Sequence, residues 1–134
     1  MRALIERGRA PFVQELSRTV GHTESVLYRR GSFQGTFDDL VCAALTEERD
    51  AEIALSPGFW WGTTLMAGAP ITIEDIHNLT SITFPQVCRA VISGERLKQM
   101  LENAANNAFN PDPYYRQGGD MIRCAGLSFT IDLG

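Results

Sequence analysis

Residues 36–45 read TFDDLVCAAL and carry the clearest helical pattern of the chain. Five apolar side chains recur at the spacing that places them on one face of a helix: Phe37, Leu40, Val41, Ala44 and Leu45. We expect Thr36 to cap the N-terminus of this helix, with Asp39 completing an approximate capping box three residues later. Asp50 ends the pattern. The stretch therefore predicts an amphipathic helix whose apolar face packs on the rest of the domain.

Shorter helices and strands alternate along the remaining chain. The sequence predicts helices at residues 9–20, at 73–78 behind a Thr72 cap, and from Ser93 through Ala108. It predicts strands at residues 23–30, 51–55, 86–92 and 127–132. Because the chain has no internal repeat and no low-complexity linker, this order predicts an α+β (mixed α/β) fold. We expect a single compact domain over residues 1–134, in which helices pack on a mixed sheet.

The composition excludes several classes of protein. At 44% hydrophobic and 21% charged, the 134 residues are sufficient for one core without disulfides or metal. A net charge of −4, from 12 basic and 16 acidic residues, argues against a nucleic-acid partner. No apolar run approaches the ~20 residues of a membrane span, so no membrane partner is expected. The N-terminus lacks a secretory signal and a helix cap, and we interpret the chain as a piece of a longer protein.

The cysteines and histidines do not indicate a metal site. Cys42, Cys88 and Cys124 are widely spaced on apolar segments, where an unpaired, buried thiol is the expected state. His22 and His77 are too isolated to form a metal cluster. We therefore expect no cofactor in this chain.

Residues 109–121 read FNPDPYYRQGGDM and form the most unusual connection of the chain. The segment is about twice as long as an ordinary connection of ~4–6 residues. Its prolines restrict φ and its Gly118-Gly119 step permits positive φ, so we expect a shaped loop. Tyr114 and Tyr115 would then line a pocket, or else cap the end of the core. Asp120 is either a polar group of that site or an ordinary acid between loop and strand.

Trp60 and Trp61 form a second candidate surface after the strand at 51–55. Because successive side chains of an extended segment point in opposite directions, we expect Trp60 to face a cleft and Trp61 to be the more buried ring. The alternative is that both rings are buried, each with its indole N–H bonded to the backbone. Neither histidine lies in a context typical of a catalytic triad. The residues alone thus indicate a binding domain without its own catalytic machinery.

Four segments resemble one known family. They are GTFDDL at 35–40, AEIALSPGF at 51–59, NPDPYY at 110–115 and QGGDM at 117–121. These segments resemble the C-terminal domain of the SoxB thiosulfohydrolases, which are relatives of the 5′-nucleotidases. Further segments resemble the 5′-nucleotidases more broadly, and these lie at residues 70–76, 84–85, 93–98 and 101–102. The resemblance covers almost the whole chain and implies the fold of the 5′-nucleotidase C-terminal domain.

The resemblance also implies a function for a longer protein. In this family a separate N-terminal metallophosphoesterase domain holds two metal ions, usually manganese in the sulfur branch, and the C-terminal domain shapes the substrate cleft. The implied substrate is a cysteine-bound sulfonate on the C-terminal arm of a periplasmic sulfur carrier protein, and the product is sulfate. The implied partners are thus the protein's own N-terminal domain and that carrier. The alternatives are a nucleotide-binding 5′-nucleotidase domain and a non-catalytic binding module.

The chain departs from the family at Trp60, where the resemblance implies an arginine that pairs with an anionic substrate group. We expect Trp60 to weaken sulfonate recognition unless Arg116 or Arg123 supplies the charge. The candidate substrate-binding residues are Trp60, Trp61, Tyr114, Tyr115, Arg116, Gly118, Gly119 and Asp120.

Overall fold

The computed structural model describes residues 1–31, 33–58, 62–80 and 86–133. In these residues the elements follow in the order α1 (Arg2–Arg9), α2 (Val13–Leu16), β1 (Thr19–His22), α3 (Thr36–Arg49), β2 (Ala54–Ser56), β3 (Pro70–Thr72), α4 (Ile73–Leu79), α5 (Gly94–Phe109) and β4 (Arg123–Ala125). The predicted α+β class is confirmed. Among the described residues, no helix is both long and apolar enough to cross a lipid bilayer.

The described strands pair in two antiparallel two-stranded sheets, whereas the sequence analysis predicted one mixed sheet. Strand β1 pairs with β3, with an irregularity between Thr19 and Gly21. Strand β2 pairs with β4, so that Leu55 lies opposite Cys124 and Ser56 opposite Arg123. The second pair packs against α3. Because β2 and β4 are antiparallel, the end of β2 lies beside the start of β4.

Helix α3 matches the predicted range, but its cap lies one residue earlier than predicted. Gly35 is the N-cap residue, and its N–H donates to the Asp38 carboxylate at 2.9 Å. The Thr36 hydroxyl does not cap the helix: it accepts from the Tyr28 N–H at 3.2 Å and donates to the Val26 carbonyl at 2.6 Å. The helix ends at Asp50, as predicted, in the left-handed conformation (φ 46°).

The buried face of α3 is rotated from the predicted stripe. Phe37, Asp38 and Cys42 are buried, whereas Leu40 is exposed. Leu40 lines an open apolar groove of about 510 Å³ together with residues of α4 and Val87. The spacing identified the helix correctly, but it could not show that an aspartate occupies the buried face.

Helices α4 and α5 begin where their caps predict. The Thr72 hydroxyl accepts from the Asp75 N–H at 3.2 Å, and the Asp75 carboxylate accepts from the Thr72 N–H at 2.9 Å. This reciprocal pair is a capping box and explains the start of α4. The Ser93 hydroxyl accepts from the Arg96 N–H at 3.2 Å at the start of α5. Both helices were predicted because their signals are local in sequence.

Other predicted elements differ from the structure. The helix predicted at residues 9–20 is reduced to the four residues of α2, because residues 10–12 form a turn around Pro11 and Thr19 pairs with Thr72 in β1. Helix α1 ends where this range begins and was not predicted. The strand predicted at 23–30 is reduced to one bridge between Leu27 and Leu65. Residues 86–92 and 127–132 have no regular structure. An alternating pattern fits a strand, but it does not supply the partner strand.

The three cysteines are unpaired, as predicted. Cys42 is buried and Cys124 half-buried, but Cys88 is exposed, so the expectation of a buried thiol was wrong there. Cys88 lies in the irregular segment 86–92 and not in the strand that would have covered it. Burial raises the pKa of the Cys42 thiol to about 11, and the neighbouring Asp38 carboxylate adds to the rise.

Candidate functional site

The loop at residues 110–120 is shaped by its own side chains, as the sequence predicts. The Asn110 side-chain oxygen accepts from the Asp112 N–H at 2.9 Å. The Asp112 carboxylate accepts from the Tyr114 N–H at 2.9 Å, and the Asp112 carbonyl accepts from the Tyr115 N–H at 3.1 Å. These successive turns leave the backbone little freedom between the two prolines. We call this segment the tyrosine loop.

The two tyrosines of the tyrosine loop lie on the surface of the chain. Tyr114 is 93% exposed and Tyr115 is 70% exposed. Rings this exposed do not cap the core, so that alternative is excluded. Neither ring lines the two grooves found among the described residues. They present an aromatic surface that a second molecule or another domain can contact.

The tyrosine loop is closed by Arg116 and tied to α5. Arg116 donates from Nε and Nη2 to the Asn110 carbonyl, at 3.0 and 2.8 Å. The Asn107 side-chain amide donates to the Gly118 carbonyl at 2.7 Å. Gly118 and Gly119 adopt positive φ values of 85° and 110°, which explains why glycine occupies both positions. Arg116 thus holds the loop closed and keeps its guanidinium at the surface.

A contact between two phenylalanine rings borders the tyrosine loop, and it was not predicted. The rings of Phe33 and Phe109 stack with centroids 5.8 Å apart and an interplanar angle of 21°. Phe109 ends α5 and directly precedes the loop, and Phe33 is half exposed. The stack brings the segment before α3 to the base of the tyrosine loop. No local pattern pairs two residues this far apart in sequence.

The two segments that the sequence analysis identified separately meet in the structure. A Cβ placed on Gly58 would lie 2.0 Å from the Met121 carbonyl oxygen and 3.2 Å from the Asp120 Cβ. The backbone after β2 therefore passes directly against the end of the tyrosine loop, and only glycine fits. Trp60 and Trp61 follow Gly58 in the sequence and lie outside the described residues.

A buried group of charges lies beneath this junction and was missed by the sequence analysis. We call Arg29, Asp38 and Arg123 the arginine cluster. Their side chains are at most 5% exposed. Arg29 Nε donates to Asp38 Oδ1 at 2.7 Å, and Arg123 Nε lies 3.2 Å from Asp38 Oδ2. The capping contact of Asp38 with the Gly35 N–H accounts for only one of the contacts of this carboxylate.

Arg123 is directed at backbone carbonyls and not at the surface. Its guanidinium donates to the carbonyls of Phe33, Gly31 and Gly58. It also donates to the Asp120 carboxylate at 3.3 Å. The Arg123 side chain is fully buried, and these carbonyls and the Asp120 carboxylate surround its guanidinium. The suggestion that Arg123 supplies a charge to an anionic ligand is therefore wrong. Arg116 remains as the exposed cation of the candidate site.

Metal ligation has no obvious candidates in the described part of the chain. Within residues 1–31, 33–58, 62–80 and 86–133, no three His, Cys, Asp or Glu side chains converge as metal ligands. The candidate site combines two exposed phenol rings, one surface guanidinium and a loop backbone fixed by hydrogen bonds.

Comparison with known proteins identifies the family. The model of the 5′-nucleotidase C-terminal domain matches residues 19–134, so the chain belongs to that family. Among solved structures, the Thermus thermophilus sulfate thiohydrolase SoxB in complex with glycerol matches with a TM-score of 0.86 and 33% sequence identity. The match covers 92% of this chain and 23% of that chain, so this chain spans about a quarter of the SoxB chain. A search of curated proteins gives no match.

Proposed function

We propose that this member of the 5′-nucleotidase C-terminal domain family is the substrate-recognition domain of a SoxB-like hydrolase. One observation carries the proposal: two of the segments that resemble the SoxB thiosulfohydrolases, residues 51–59 and 117–121, converge at one place. Arg123 Nη2 lies 3.2 Å from the Gly58 carbonyl oxygen, which belongs to the segment 51–59. The same atom lies 3.3 Å from the Asp120 carboxylate, which belongs to the segment 117–121. The likeness to SoxB at 33% identity supports the same interpretation.

The proposed substrate is a cysteine-bound sulfonate on the flexible arm of a carrier protein, from which sulfate is released. Tyr114 and Tyr115 offer flat, exposed surfaces to an extended peptide, and Arg116 offers a charge to an anion beside them. The hydrolytic chemistry would come from two manganese ions in an N-terminal domain, where paired metals activate water. We propose a periplasmic location for this reaction, because the proposed carrier acts there.

A second candidate is recognition of a nucleotide. The observation that favours it is the exposure of both tyrosine rings on a fixed loop, because a nucleobase stacks on such rings.

A third candidate is a binding module without catalysis, which the tryptophan at position 60 favours. The same assay separates these candidates from the leading one.

The test uses the longer protein that carries this domain, with manganese added. Release of sulfate from a carrier-bound thiosulfonate is measured beside release of phosphate from adenosine monophosphate. Sulfate release supports the proposal, phosphate release alone favours the nucleotidase, and neither product favours the binding module. In the Trp60→Arg variant we expect sulfate turnover to rise at least about tenfold, because a buried charge contact is worth about 2–5 kcal/mol. Trp60→Phe is the matched control, and it should not gain activity.

A further inference from the structure

Arg123 is fully buried, yet its donor atoms reach the loops that border the candidate site. Nη1 donates to the Phe33 carbonyl, and Nη2 lies 3.2 Å from the Gly58 carbonyl oxygen. Nη2 also lies 3.3 Å from the Asp120 carboxylate, whose side chain is 21% exposed. One rigid guanidinium thus contacts three segments that are far apart in sequence.

The guanidinium of Arg123 is itself fixed by Asp38. Asp38 Oδ2 lies 3.2 Å from Arg123 Nε, and Asp38 Oδ1 accepts from Arg29 Nε at 2.7 Å. Arg29 in turn donates to the Leu79 carbonyl at 2.7 Å and to the Pro57 carbonyl at 3.1 Å. The planar groups therefore cannot rotate without breaking several charged hydrogen bonds.

Residues 116–122 form neither helix nor strand, so individual side-chain contacts hold this segment. Its start is held by Arg116, which donates to the Asn110 carbonyl, and by the Asn107 amide, which donates to the Gly118 carbonyl. Gly118 and Gly119 lie in conformations that glycine enters readily, so they impose no stiffness on the turn. Beyond them the Asp120 carboxylate accepts from Arg123, and this contact holds the end of the segment.

We propose that Arg123 is a positioning residue for the substrate site, acting through the Asp120 carboxylate and the Gly58 carbonyl. The proposal rests on the proposed function. It also gives Asp120 a role other than direct substrate contact, because this carboxylate is directed at a buried guanidinium. Stability alone does not explain the arrangement, since apolar groups of similar volume often replace buried ion pairs without loss.

The decisive variant is Asp120→Ala, because it removes the contact to the loop and leaves the Arg123–Asp38 pair intact. Arg123→Lys is the second variant: it keeps the charge beside Asp38 but loses the planar fork that joins the segments. Asp39→Ala is the matched control, since Asp39 is an exposed carboxylate outside the site. In each protein, amide hydrogen exchange of residues 116–121 is measured together with kcat and KM for the carrier-bound substrate.

For Asp120→Ala we expect KM to rise by about ten- to a hundredfold with kcat within about twofold, because a displaced recognition loop weakens binding. We also expect faster exchange confined to residues 116–121, and the Asp39→Ala control should show neither change. Unchanged exchange, or faster exchange spread over the whole chain with KM unaffected, would overturn the proposal. A loss of kcat without any change in loop exchange would overturn it as well, because Asp120 would then act on the reacting groups directly.

The exchange measurement needs no substrate. If the parent protein releases no sulfate, the proposed function fails, and the comparison of loop exchange still decides whether Arg123 positions the loop. The two failures are therefore distinguishable.

Discussion

Asp38→Asn is the most informative single change, because it removes one charge from the arginine cluster and almost no volume. The carboxylate accepts from Arg29 Nε at 2.7 Å and from the Gly35 N–H at 2.9 Å, and it lies 3.2 Å from Arg123 Nε. Asparagine keeps an oxygen that can cap the helix, so the capping contribution is largely retained. The loss falls on the two buried guanidinium groups, which lose their shared counter-charge.

The size of the effect follows from burial. Asp38 and Arg123 are 0% exposed and Arg29 is 5% exposed, so water does not screen these charges. Removing one partner of a buried ion pair costs about 3–5 kcal/mol. Two pairs share this carboxylate and their losses are not additive, so we expect about 4 kcal/mol. A domain unfolds with about 5–15 kcal/mol, so this loss is a large fraction of the total.

Equilibrium urea unfolding followed by circular dichroism measures the change, and Asp39→Asn is the matched control. Asp39 lies in the same first turn of α3, but it is exposed, so its substitution should cost no more than about 0.5 kcal/mol. If Asp38→Asn loses less than about 1 kcal/mol, or no more than the control, the buried carboxylate does not hold the arginines and the reasoning fails.

Three further predictions concern the thiols and the glycines. Alkylation near neutral pH should modify exposed Cys88 first and Cys42 last, because burial raises the pKa of the Cys42 thiol to about 11; equal rates would contradict this. Since that pKa is raised from 9.0, stability should fall as pH increases from 9 through about 11, and Cys42→Ala should reduce the slope. Gly58→Ala should lower the unfolding temperature more than Gly118→Ala, because the new Cβ at position 58 would overlap the Met121 carbonyl, whereas at position 118 it meets open space and adds only the strain of a positive φ. Similar losses would show that the close approach is not rigid.

The elements that the sequence predicted correctly depend on short-range signals. Helix α4 follows the Thr72 cap and α5 follows the Ser93 cap, and in each helix the capping contact spans three residues. The strands were predicted less well because a strand needs a partner. Thr19 pairs with Thr72 and Leu55 with Cys124, and nothing near these residues indicates which distant segment each will meet.

The same distinction between local signals and distant partners applies to the candidate site. The tyrosine loop was predicted as a shaped loop because its prolines and its glycines act on the backbone at their own positions. The exposure of Tyr114 and Tyr115 was left open, since a loop sequence does not show which side of it will be covered. The arginine cluster was missed because Asp38 satisfies a local role as the capping acid of α3, and that role concealed the buried ion pairs.

The contacts of Arg123 explain why recognition and support can change independently in this domain. Its guanidinium donates to the backbone carbonyls of Phe33, Gly31 and Gly58, and a carbonyl is present whatever side chain the position carries. Substitutions at the exposed rings Tyr114 and Tyr115 therefore leave every donor and acceptor of the arginine cluster in place. The proposed recognition surface can therefore change while the buried charges continue to hold the loops in the same positions.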